Sequence, residues 1–136
     1  DNSSSPAILL VDVRTDDETN VSTLPGAMTM KDFEALDVTD DDANVVVVVY
    51  CTIGYRSGFH ARRFAETSNF KIYNLDGILS YTHEHGPLIE PKSGQLTNQV
   101  HTYSASWDFS HSDYKAVYDS KQVVIANWIG GTIKRI

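Results

Sequence analysis

Cysteine is nearly absent from this chain of 136 residues, which holds only Cys51. A lone thiol forms no internal disulfide and supplies no multi-cysteine zinc site, so the domain must be held by its apolar core. Long hydrophobic runs are missing as well. The longest, Val45 to Tyr50, falls far short of the ~20 residues that a membrane-spanning helix needs. Basic side chains are scarce: 11 Lys and Arg stand against 18 Asp and Glu, for a net charge of -7. The deficit sits at the front, where residues 1–42 hold 11 acids and two bases. Such a surface repels phosphate backbones and excludes sequence-independent nucleic-acid binding. No basic and apolar leader opens the chain, and its first residue is Asp1, so it reads as a trimmed or processed product. The expected setting is intracellular, in the cytoplasm or in an organelle such as a plastid or mitochondrion.

What remains is ordinary globular material. With 41% hydrophobic, 10% aromatic and 21% charged residues, the chain suits one domain and neither disorder nor a coiled coil. Residues 1–7 read as a disordered lead-in. Ile8-Leu9-Leu10-Val11-Asp12-Val13 has the length and composition of a strand, and residues 14–20 read as a polar turn. Leu24-Pro25-Gly26-Ala27 makes a tight turn into a short strand, and Met30, Phe33 and Leu36 have helical spacing. The β-branched run from Val45 to Tyr50 predicts a central parallel strand buried on both faces. A helix follows from Ser57, with Ala61, Phe64 and Ala65 on one face. Residues 70–75 form the next strand, broken by Asp76-Gly77, and residues 78–84 a short helix ended by Gly86-Pro87. This alternation predicts an α/β fold: a mostly parallel central sheet with helices on both faces. Residues 88–113 read as irregular structure, and residues 115–128 as a helix. Residues 91–136 would form a C-terminal extension that packs on the domain or on a partner.

In open α/β sheets the chemistry gathers where strand carboxyl ends meet loops and helix N-termini, and Cys51 lies there. The loop Cys51-Thr52-Ile53-Gly54-Tyr55-Arg56-Ser57 leaves a buried strand and enters a helix. Its backbone amides can therefore turn inward on the sulfur. With the helix dipole and the Arg56 guanidinium they should favour thiolate at neutral pH. They would equally stabilise the anionic outer sulfur of a persulfide. Gly54 supplies a residue tolerant of positive φ, and Ser57 is a candidate N-cap.

Val48-Val49-Tyr50-Cys51-Thr52-Ile53-Gly54-Tyr55-Arg56-Ser57 resembles the active-site strand and loop of a single-domain rhodanese. Leu10-Val11-Asp12-Val13-Arg14, Glu18 and Leu24-Pro25-Gly26-Ala27 resemble that family's first signature, and Asn74-Leu75-Asp76-Gly77-Ile78 its third. The match spans residues 8–90. Thr23 stands where the first signature usually has His.

The resemblance implies a rhodanese-like fold and a sulfurtransferase. Cys51 would carry sulfane sulfur from a small donor such as thiosulfate to an acceptor, which is cyanide in vitro and a small or protein thiol otherwise. It also implies Arg56 as electrostatic support and donor binder, and the amides of Thr52, Ile53, Gly54, Tyr55, Arg56 and Ser57 as the substrate-binding cradle. Asp12 and Arg14 would pair and position the loop. Four residues separate Cys51 from Arg56, one fewer than in related phosphatases, which must enclose a tetrahedral oxyanion. The alternative is a catalytically weak regulatory or docking module.

No cofactor is implied. His83, Glu84 and His85, with His101 and His111, read as solvated loop rather than a metal site, because a spacing of i, i+2 does not place two imidazoles on one helix face. The Asp40-Asp41-Asp42 run lacks calcium-loop spacing.

Overall fold

The computed structural model describes residues 7–36, 44–68 and 71–118. Four parallel strands form the central sheet in the order β2-β1-β3-β4. They are β1 (Ala7–Asp12), β2 (Met28–Thr29), β3 (Val45–Cys51) and β4 (Lys71–Gly77). Between and after them lie α1 (Asp16–Val21), α2 (Met30–Ala35), α3 (Tyr55–Thr67) and α4 (Ile78–His83). The sheet is thus parallel with helices on both faces.

Strand alternation sorts the core into two clusters. On one face Val11, Val45, Val47 and Val49 pack with Phe33 of α2 and with Ala61 and Phe64 of α3. The Phe33 and Phe64 rings meet at 5.3 Å. On the other face Tyr50 packs with Ile78 and Leu79 of α4 and with Leu24, Leu88 and Val100. That second cover reaches only the carboxyl ends of the strands. Register places Ile8, Val46 and Lys71 in one row and Leu10, Val48 and Tyr73 in the next. Ile8 is 66% and Tyr73 58% exposed, and Val46 and Val48 are half-buried. The expectation that β3 is buried on both faces therefore holds for its last residues alone, because α4 is six residues long and sits at one end of the sheet.

Several local readings are corrected. Residues 14–20 are not only a turn: α1 starts at Asp16, and the Glu18 carboxylate reaches back to the Thr15 N–H at 3.0 Å. The α3 helix begins at Tyr55 with Gly54 as its N-cap, two residues before the expected start, so Ser57 lies inside the first turn. Asp76-Gly77 does not break β4, which runs straight into α4.

Residues 88–113 contain β5 (Leu88–Ile89) paired antiparallel with β6 (Leu96–Thr97), and β7 (Gln99–Tyr103). The expected helix over 115–128 begins instead as β8 (Lys115–Tyr118), parallel to β7, and the rest of that span lies outside the described residues. Lys115-Ala116-Val117-Tyr118 is too short to show either period, Val117 and Tyr118 suit a strand, and pairing with β7 decides it. Val100 of β7 is fully buried, and β7 packs beside α1.

Candidate active site

Cys51 ends β3, and the chain turns through Thr52, Ile53 and Gly54 into α3. The turn needs φ of +99° at Gly54, where a Cβ would also sit 3.0 Å from the Asp76 Cα. Amides in the first turn of a helix have no carbonyl partner within it. Two of them face the sulfur: Gly54 N donates to Cys51 Sγ at 3.1 Å and Ser57 N at 3.4 Å. The Ser57 hydroxyl lies 3.3 Å from the same atom. Cys51 is 1% exposed, yet its sulfur has donors around it and not hydrocarbon alone.

Ser57 has one hydroxyl proton and several acceptors in reach. Asn74 Oδ1 at 2.6 Å is the nearest, with the Gly54 carbonyl at 3.2 Å and the Asp76 carbonyl at 3.3 Å. The short distance favours Asn74 as the acceptor of that proton, and the sulfur lies within reach of the same hydroxyl. Asn74 Nδ2 donates in turn to the Gly54 carbonyl at 3.1 Å. Behind the loop, Leu79 N donates to the Thr52 carbonyl at 3.2 Å, and Gly77 lies so close that a Cβ there would stand 2.2 Å from that oxygen.

Arg56, expected as electrostatic support and donor binder, is engaged by Glu18 and Thr52. Its guanidinium grips Glu18 through two hydrogen bonds of 2.9 and 2.8 Å, and Nη2 also donates to Thr52 Oγ1 at 2.8 Å. Thr52 Oγ1 donates to Glu18 at 3.0 Å, and the Thr15 hydroxyl donates to it at 2.8 Å. Burial favours the neutral form of Glu18, but Arg56 and then Thr15 outweigh it and hold the carboxyl at about 2. Arg56 therefore carries its charge in an ion pair that ties α1 to the loop.

A second buried pair lies beneath. Arg14 Nε and Nη2 donate to Asp12 at 2.9 and 2.7 Å, and Nη2 also reaches the Ser22 carbonyl at 2.7 Å. Asp12 accepts from the Tyr50 hydroxyl at 2.7 Å and from Thr23 at 3.0 Å. Burial, then the Asp12 carboxylate, push the Tyr50 hydroxyl above its ordinary range, so it stays protonated and donates. The pair thus fixes the residue next to Cys51.

Of the other expected cradle residues, Thr52 frames the ion pair, while Ile53 and Tyr55 are 44% and 73% exposed. Glu18, Tyr50, Asn74 and Gly77 were not singled out as site residues. The Thr15-Asp16-Asp17-Glu18 capping pattern was the available signal for Glu18. His101, expected in a solvated loop, is buried in β7, where desolvation keeps its imidazole below the ordinary range.

A family model described as the rhodanese-like domain matches residues 1–81, more than half of the chain. The chain belongs to the rhodanese-like domain family. This family places it in the sulfurtransferase superfamily, which also contains members without catalytic activity. Among solved structures, the BH2092 protein from Bacillus halodurans is 21% identical with a TM-score of 0.47, over 60% of this chain and 63% of that one. The match thus spans less than two thirds of that protein's length. A comparison with curated proteins gave no match.

Proposed function

We propose that this rhodanese-like chain is a sulfurtransferase that carries sulfane sulfur on Cys51. The observation that supports the reading is the pair of amides, Gly54 and Ser57, aimed at Sγ. Peptide dipoles held in place by the fold stabilise negative charge on sulfur without reorganising. They serve the thiolate and the persulfide alike.

With thiosulfate as donor, the Cys51 thiolate attacks the outer sulfur. An S–S bond forms to Sγ, the S–S bond of thiosulfate breaks, and sulfite leaves with the electron pair. In the second half-reaction a nucleophile such as cyanide or a small or protein thiolate attacks the outer sulfur, and the electron pair returns to Cys51. Arg56 acts here as a positioning residue through Glu18 and Thr52, and a dianionic donor would have to compete with Glu18 for it.

Cyanolysis tests the proposal. Wild type incubated with thiosulfate and cyanide should release thiocyanate, and Cys51→Ser should fall to the uncatalysed rate. The 1% exposure of Cys51 and the pairing of Arg56 with Glu18 favour one other reading, a catalytically weak docking or regulatory module. Equal, background-level rates from the two proteins would favour it.

A further inference from the structure

At the far end of α4 from Cys51, two loops bring together side chains that are distant in sequence. Donor atoms of His85, His111 and Asp113 all lie within 4.8 Å of one another. His85 Nδ1 is 3.9 Å and His111 Nδ1 3.6 Å from the same oxygen, Asp113 Oδ2. The His85 and His111 rings meet at 4.5 Å, and the His83 ring is 5.6 Å from that of His111. We infer that His85, His111 and Asp113 form a binding site for a divalent transition-metal ion, zinc above all, that clips the loop after α4 to the segment before β8.

Two imidazoles and a carboxylate are a donor set suited to zinc. Bonds of roughly 2.0 Å in a tetrahedron put donors about 3.3 Å apart. The separations to Asp113 Oδ2 need to close by up to about 0.6 Å, and all three donors start within 4.8 Å of one another, so rotation of the side chains must supply the rest. His111 Nδ1 accepts the Asp113 N–H at 3.0 Å, so its lone pair is turned towards the Asp113 backbone, with the ring proton of the neutral imidazole on Nε2. Metal binding would exchange that hydrogen bond for a coordinate bond.

The frame is set independently of these rings. His111 N donates to Thr82 Oγ1 at 2.9 Å, and the Tyr114 hydroxyl donates to the Gly86 carbonyl at 2.6 Å. His85 itself stands at the helix position where glycine is the usual residue: φ is +57°, His85 N bonds the Thr82 carbonyl and Gly86 N the Tyr81 carbonyl. A side chain there costs about 1 kcal/mol, and here it aims an imidazole at its partners. His85 and Asp113 also line an open cleft with Pro87, Leu96 and Tyr114, which leaves a coordination position to water. Sequence spacing concealed the site, because its second and third groups, His111 and Asp113, come from another segment.

The test uses the full chain carrying Cys51→Ser, so that a thiolate cannot bind the probe. Cobalt(II) should bind at one equivalent, with the intense visible bands of a tetrahedral ion and no sulfur charge-transfer band, and zinc should displace it. His85→Ala, His111→Ala and Asp113→Asn should each weaken zinc at least about tenfold in calorimetry, whereas His60→Gln on α3 should not. Circular dichroism checks that each variant is folded. Absence of saturable binding, or equal affinity in the parent and all three variants, would overturn the inference.

Discussion

At Glu18, burial opposes ionisation and the surrounding donors prevail. The folded carboxyl titrates at about 2 against an ordinary 4.5, held down by Arg56 and Thr15 against the effect of desolvation. A folded value below the unfolded one means that the contribution is complete above the unfolded value and is lost as pH falls towards 2. Its size is on the order of 3 kcal/mol. Urea titrations between neutral pH and the acid limit should therefore show stability falling below about pH 4.5. Glu18→Gln should be less stable at neutral pH and flatter through that window. An unchanged slope in the variant would place the acid sensitivity elsewhere.

Among the elements, the Cys51 loop depends on how closely β4 and its junction with α4 pass behind it. The Gly77 backbone is extended, at φ of -140°, so any residue suits it conformationally and the constraint is space alone. A methyl group 2.2 Å from the Thr52 carbonyl forces the loop or the strand to move. Gly77→Ala should cost about 1–3 kcal/mol in urea unfolding and lower cyanolysis more than its stability loss explains. Stability equal to wild type would show that the junction yields freely.

Elements with strong local patterning were legible in the sequence. The five consecutive valines gave β3, the Leu24-Pro25-Gly26-Ala27 turn led into β2, and Met30 with Phe33 marked α2. Those fixed by tertiary contact were not: α1 hides in a polar stretch because it buries Glu18 against Arg56, and β8 exists because β7 lies beside it. Cys51 and its loop were legible from their place after the strand. The partner of Arg56, 38 residues away, was not, because the sequence offers 18 acids and only the fold selects one.

Over the whole molecule, charge and packing are both uneven. The acidic excess lies in the first 42 residues, and the second sheet face keeps Ile8 and Tyr73 in solvent. No helix among the described residues is long and apolar enough to cross a membrane. The Cys51 sulfur sits where the two cores meet the carboxyl ends of the strands, beside Tyr50 of one cluster and Val49 of the other. That placement gives the fold its proposed use: a rigid sheet end from which amides point at one atom. Intact-mass measurement of the full chain after thiosulfate tests this most directly. The account predicts a gain of one sulfur atom, located on Cys51 and removed by a thiol reductant or by cyanide. An unchanged mass under conditions that load a known persulfide carrier would contradict it.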